Sequence, residues 1–279
     1  MTLLRLGVVA AHFGRDLVRC VERVCGIVDD ARRAGVDLLV LPHAALGGYL
    51  ADLRSPDPDA LPPALAADDP LLARLAAHSA GMTVCLGYTE LDGTDRYNAA
   101  VCLSDGEVIG RHRKVHQTPG EDAVYRHGDG FRAFDTPVGR LGMLIDYDKT
   151  FPESARTLAL DGANVVTCLS AWPASVTNQA ARLRQDRQTR LFDLYDAARA
   201  AENQVFLLSA NQTGVTGGLR FLGQSKVVGP GGEVLARTYA AAGLAVAEVD
   251  VAAEVARARL VLHHLRERQP ATYRTAVAP

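Results

Sequence analysis

Two hydrophobic periods alternate along the chain. Leu6 to Ala10 is an apolar run of strand length, and Val21, Val24, Cys25 and Val28 then recur at helical spacing until Gly35 supplies a stop. Asp37 to Leu41 is almost continuously apolar, as expected of a strand that a parallel or mixed sheet buries on both faces. Ser55 to Pro70, rich in Pro, Ala and Asp, reads as an irregular loop, and a helix follows through Leu71, Leu72, Leu75 and Ala76. Three strands come next without intervening helices: Thr83 to Tyr88, Asn98 to Leu103 and Val108 to Arg113. The last two are separated by Asp105-Gly106, a hairpin turn signal, so this part of the sheet is expected to be antiparallel.

From Gly139 the strand-helix alternation returns. Leu141 to Ile145 runs into Asp146-Tyr147-Asp148, and Pro152 suits the first turn of a helix. The strand Asn164 to Leu169 leads to Ala171-Trp172-Pro173, and a long helix through Arg190, Leu191, Leu194 and Ala198 precedes the strand Val205 to Ala210. Hairpin-like strands around Gly229-Pro230-Gly231-Gly232, a strand at Leu244 to Val249, a short helix and a C-terminal tail close the pattern. The order implies an α/β fold.

Composition narrows the picture without changing it. With 279 residues, 48% of them hydrophobic, the chain can bury a sizeable core, and no repeat or composition shift divides it, so one domain over 1–279 is expected. A formal net charge of -2 leaves no basic field to hold nucleic acid or an anionic membrane, which points to a small molecule or another protein as partner. The basic run from Arg111 through His112, Arg113, Lys114 and Val115 to His116 is the local exception and reads as a solvated strand end. Cys20, Cys25, Cys85, Cys102 and Cys168 are an odd set without a CxxC pair, each in or beside an apolar run, and read as buried reduced thiols. The N-terminus lacks the marks of a signal peptide, and no segment approaches the roughly 20 apolar residues that cross a bilayer. A cytoplasmic protein is expected.

Three segments together resemble the nitrilase (carbon–nitrogen hydrolase) superfamily: Leu41 through Pro42 and His43 to Tyr49; Arg113-Lys114-Val115-His116; and Gly142 to Asp148 with Phe151-Pro152-Glu153. Ala200-Ala201-Glu202-Asn203 before a strand and Asn211-Gln212 after it extend the likeness over nearly the whole chain. The resemblance implies a four-layer α-β-β-α sandwich, commonly paired into a homodimer, with no cofactor or metal. It also implies a site in which a Glu is general base, a Lys stabilises the tetrahedral intermediate and a Cys on a strand-to-helix elbow is nucleophile. Carried over residue by residue, Lys114 is retained, the base position holds His43 and the nucleophile position holds Asp146. Glu121 matches the second glutamate of many amidases of the family, Trp172 falls where the family lines its pocket, and Tyr49 and Tyr147 complete the expected binding residues.

A carboxylate is a poor nucleophile toward an amide, so the resemblance with these replacements implies something other than an ordinary thiol amidase. His43 is expected to titrate near neutral pH and suit general acid-base work, while attraction to Lys114 is expected to stabilise the charged form of Asp146. Three readings stay open. One is a repurposed enzyme performing cyclisation, elimination or condensation on a small amide- or amine-containing molecule. Another is a catalytically inactive protein kept for ligand binding or assembly, and the third is residual amide hydrolysis. Both replacements are ionisable, whereas decay of a buried site favours Ala, Ser or Gly, and this favours the enzyme. His43 and Asp146 are also metal-ligand types, but the ammonium of Lys114 opposes a cation there.

Overall fold

The computed structural model describes residues 2–273; Met1 and residues 274–279 of the expected tail lie outside them. Strand β1 (Leu4–Ala11) carries the first apolar run, and helix α1 (Leu17–Arg33) starts where the Asp16 carboxylate accepts the Arg19 N–H. Its inward residues Cys20, Val21, Val24, Val28 and Ala31 keep the helical period, and Gly35, at φ +68°, turns the chain toward β2 (Leu38–Val40). The stretch expected to be irregular throughout holds a short strand, β3 (Leu65–Ala66), ahead of α2 (Pro70–His78). Strands β4 (Thr83–Asp92), β5 (Asp95–Ser104) and β6 (Glu107–Arg113) form the expected antiparallel run. Positive φ at both Asp105 and Gly106 gives the tight turn whose twist matches the flanking strands.

After β7 (Ala133–Thr136), strand β8 (Gly139–Ile145) ends in a 3₁₀ turn, Asp146–Thr150, that leads into α3 (Pro152–Leu160). Strand β9 (Val165–Ser170), helix α4 (Arg187–Asn203) and strand β10 (Phe206–Gln212) continue the alternation. The short strands β11 (Val215–Thr216) and β12 (Leu219–Arg220) pair with each other. Strands β13 (Lys226–Val228), β14 (Val234–Arg237) and β15 (Gly243–Val249) and helix α5 (Val251–Ala258) follow.

The strand order β6-β5-β4-β2-β1-β10-β9-β8-β7 makes one mixed sheet that folds back on itself, so that β4 and β5 face β9 and β8. Between the facing halves lie Leu6, Val8, Val40 and Cys102 against Met143, Ile145 and Leu208. Helices α1 and α2 cover the outer face of one half through Val24, Leu72 and Leu75, and α3 and α4 cover the other through Leu158 and Ala200. Each fully buried Leu or Val contributes roughly 1.5–3 kcal/mol by leaving water. The result is the expected α-β-β-α sandwich. Among the described residues no helix is long and apolar enough to cross a membrane.

The expected long helix is present as α4, but its inward face and the surroundings of the basic run are both set by electrostatics. Helix α4 turns Leu194 outward (60% exposed) and buries Thr189, Phe192, Asp196, Arg199 and Asn203. Asp196 accepts Lys149 and Lys226, each at 2.7 Å, and Arg199 donates to the carbonyls of Lys149 and Thr150, both at 2.8 Å. This helix face is therefore chosen by charge pairing that braces the turn at 146–150, a pattern hydrophobic periodicity does not see. Nor is the basic run a solvated end. Lys114 is fully buried and His112 is nearly so, because His112 and His116 both donate to the buried Asp148.

Candidate active site

The candidate residues sit where strands end. His43 follows β2, Lys114 follows β6, Asp146 follows β8, Trp172 comes two residues after β9, and Asn211-Gln212 close β10. In sheets with parallel strands, carboxyl ends are where backbone departs into loops and opens a crevice. Here Gln212 ties the ends together: its amide donates to the carbonyls of His43 (3.0 Å) and Ala44 (3.3 Å), and its Oε1 accepts the Phe13 N–H (3.0 Å).

Glu121 is the most committed group of the site. It begins a 3₁₀ turn entered through Gly120 at φ +93°, where a Cβ would lie 1.7 Å from the Leu53 carbonyl oxygen, so only glycine fits. Its carboxylate accepts Lys114 Nζ on both oxygens (2.9 and 2.7 Å), Tyr49 Oη (2.6 Å), Asn98 Nδ2 (2.7 Å), and the N–H and hydroxyl of Thr118 (2.7 Å each). Burial alone would raise its pKa, but the Lys114 ammonium and these donors bring it below the ordinary carboxylate range. Burial likewise opposes the Lys114 charge, yet Glu121 and then Asp146 raise its pKa overall.

His43 differs from expectation. Its Nε2 lies 3.1 Å from Asn98 Oδ1, and because Asn98 Nδ2 already donates to Glu121 and Gln117, Nε2 must carry the proton. Nδ1 is then a bare acceptor with no donor, packed against β4 where a Cβ on Gly87 would come within 2.7 Å of it. Burial first, and Lys114 second, lower its pKa to about 4, so the ring is neutral at pH 7 rather than titrating there.

Asp146 opens the strand-to-helix elbow at φ +45°, a left-handed conformation that a short polar side chain tolerates best. Its Oδ1 accepts the Ala171 N–H at 2.6 Å; its Oδ2 has no hydrogen-bond donor and lies 3.6 Å from Lys114 Nζ. Lys114 does favour its charged form, as expected, but burial outweighs that attraction. Burial, partly offset by Lys114 and reinforced by the Glu121 charge, raises its pKa to about 6. Two residues on, Asp148 accepts five hydrogen bonds: from His112 and His116 side chains, and from the N–H groups of Ile145, Val115 and His116. Despite its burial, these donors hold its pKa far below the usual range.

A cavity of about 280 Å³ is lined by Asp146, Lys114, Tyr49, Tyr147 and Trp172, together with Leu53, Thr118 and the 173–177 segment. His43 and Glu121 are not on its wall; they stand behind Lys114 and Tyr49. Trp172 is held on several sides. Its N–H and carbonyl pair with the Asn211 amide (2.8 and 3.2 Å), its indole N–H donates to Gln188 Oε1 (3.0 Å), and Lys149 Nζ lies over its ring at 5.1 Å. Among the described residues no thiol lines the cavity: Cys168 is fully buried in β9, and burial pushes its pKa to about 12. The reading of the sequence passed over Asn98, Asp148, Gln188 and the hydrogen-bonding roles of Asn211 and Gln212. For Asp148 a signal existed, since two histidines four apart precede a DxD pair.

Comparisons with known proteins agree with this architecture. Residues 7–259 match the carbon-nitrogen hydrolase family. A nitrilase of Pyrococcus abyssi is 32% identical over 227 residues, covering 81% of each chain. An omega-amidase of Bos taurus is 27% identical over 90% of each chain. The crystal structure of a carbon-nitrogen hydrolase from Helicobacter pylori G27 superposes with a TM-score of 0.85, at 25% identity over 97% of each chain. With the sandwich, the strand-end site and the elbow in place, the chain belongs to the carbon–nitrogen hydrolase family of the nitrilase superfamily.

Proposed function

We propose that the protein is an acid-base catalyst acting on a small amide-containing molecule without a thiol nucleophile, with Asp146 as the proton-transfer group and Lys114 as its electrostatic partner. One observation carries this reading. Lys114 has three N–H groups, two of them committed to Glu121, and its ammonium lies 3.6 Å from the donor-free Oδ2 of Asp146. The cavity wall thus presents a hydrogen-bond donor and an acceptor side by side, the complement of an amide carbonyl and its N–H. A carboxyl group titrating at about 6 is suited to take the N–H proton and return it near neutral pH, while the ammonium holds the charge that gathers on the carbonyl oxygen. Attack of that nitrogen on a second carbonyl carbon of the same molecule would form a C–N bond as the C=O π bond breaks, with the N–H proton passed through Asp146 to the oxygen, a cyclisation. Loss of that hydroxyl with a further proton, as water, would make it a condensation. Nitrilase and omega-amidase relatives support an amide-type group as the recognised element.

In this reading His43 and Asp146 occupy the positions of the family's glutamate and cysteine. Replacing an anion by a neutral ring and a neutral thiol by a carboxylate leaves the formal charge of the trio unchanged around Lys114, which supports a coordinated change rather than decay. His43, being neutral and bound through Nε2, serves as support. Locked as His43 and Glu121 are, a second reading also has an observation in its favour: ligand binding without turnover. The deciding experiment incubates small amides with the protein and follows products by mass spectrometry. Proton chemistry predicts a product that keeps its nitrogen, no acyl adduct on the protein, and loss of turnover in Asp146→Asn and Lys114→Met. Stoichiometric ammonia release or full activity in Asp146→Asn would sink the proposal; binding of an amide that is never converted would establish the second reading.

A further inference from the structure

We propose that the cavity selects a small amide whose remaining body is uncharged and lays a flat apolar group against Trp172, and that it rejects amides carrying a carboxylate. The proposal rests on the reading of Asp146 and Lys114 as the amide site and names what lies beyond it. At about 280 Å³ the cavity is near the lower end of small-molecule pockets, so the whole ligand contacts its walls. Away from Asp146 and Lys114 those walls are mostly apolar, with Leu53, Pro173, Ala174, Val176 and Trp172, and their polar members, among them Thr118, Ser175, Thr177 and Gln188, are uncharged. The only cation among the described lining residues is Lys114, and Glu121 takes it on both oxygens at 2.9 and 2.7 Å. Two buried carboxylates, Glu121 and Asp146, thus face one ammonium, and a ligand carboxylate would add a third negative charge with no cation to meet it.

Trp172 is fit to be a selecting wall because it is fixed before the ligand arrives. The Asn211 amide holds its backbone, Gln188 holds its indole N–H at 3.0 Å, and Phe192 meets its ring edge-on with centroids 5.7 Å apart. A flat apolar group that docks on a ring already held in place loses little further freedom in the protein. Val176 stands at the mouth, 45% exposed, where a substitution leaves the core untouched.

The test is calorimetric titration of the intact protein with phenylacetamide and with succinamate, which carries an amide and a carboxylate. Phenylacetamide is expected to bind at least about tenfold more tightly. In Trp172→Ala, binding of phenylacetamide should fall by about tenfold while succinamate is unaffected. Val176→Arg, at an exposed site that cannot unfold the core, should supply the missing cation and improve succinamate binding. Asp146→Asn should narrow the gap between the two amides by removing one of the repelling charges. Succinamate binding as tightly as phenylacetamide, or no gain of succinamate binding in Val176→Arg, overturns the selectivity. If both amides bind equally and both depend on Asp146, the proton chemistry survives and only the selectivity falls; if neither binds, both fall.

Discussion

Asp146 and Asp148 stand two residues apart on one elbow, both buried, yet the fold treats them oppositely. Asp148 is met by five donors and is held ionised; Asp146 is met by one donor, keeps an oxygen without a partner and is pushed toward the protonated form. The difference lies in supply. Side chain Asp148 lies against the segment 112–116, which brings two imidazoles and two backbone N–H groups to it, whereas Asp146 borders the cavity and meets only the Ala171 N–H and a lysine claimed by Glu121. A saturated carboxylate acts as a structural strut, whereas an undersupplied one keeps the free acceptor that the proposed function uses.

The largest expected effect breaks the strut. Asp148→Ala leaves several buried donors without an acceptor, and urea denaturation should show a loss of about 3–5 kcal/mol. A loss below about 1 kcal/mol would remove the distinction between the two residues. Asp146→Asn should act in the other direction. A carboxyl raised from 3.8 to about 6 binds its proton more tightly folded than unfolded, so its contribution to stability falls as pH rises through that window and the cost is complete above it. The asparagine variant should therefore be more stable than the parent by about 2–3 kcal/mol at pH 8 and equal to it below about pH 3. Asp148 has the opposite slope: its depressed value gives stability present above the unfolded value of about 3.9 and lost as pH falls below it.

A double-mutant cycle sharpens the comparison from the neighbouring position. His43→Glu sets a third carboxylate near one ammonium and should destabilise alone; Asp146→Cys added to it should relieve the excess, with a coupling of about 1–3 kcal/mol by chemical denaturation. Under the proposed correspondence the same double variant sets Glu, Lys and Cys together, and an acyl adduct on position 146 after incubation with an amide would then be seen by mass spectrometry. Additive effects in this cycle would mean that the two positions are not energetically coupled. The smallest effect tests how widely the support of Asp148 is shared. His116→Ala removes one side-chain donor of the five and should cost about 1 kcal/mol, well short of losing the acceptor itself.

Much of this was legible in the residues. Apolar runs such as Leu6 to Ala10 and Asp37 to Leu41, and the turn at Asp105-Gly106, carry the sheet because strand burial and hairpin twist are local properties. Motif spacing brought Lys114, Glu121, Asp146, Tyr49, Tyr147 and Trp172 into one neighbourhood. What the residues did not reveal is allocation. Whether Lys114 pairs with Glu121 or Asp146 depends on distances of 2.7 and 3.6 Å between two loops, and His43 lost its expected titration because burial, and then the charge of Lys114, 71 positions away, disfavours a second proton. The inward face of helix α4 is not legible for the same reason: Asp196 and Arg199 are inward because of lysine and carbonyl partners far along the chain.

The left-handed backbone at Asp146 also limits what mutation can do there. Side chains branched at Cβ pay most for positive φ, whereas Asn, Asp and Gly reach it readily. A saturation library at this codon should be winnowed by folding before chemistry is sampled, with Asn and Gly abundant among soluble clones and Val, Ile and Thr nearly missing. Sequence drift at the elbow is thereby channelled: few side chains find a foothold there, and aspartate is among the few that bring a charge with them.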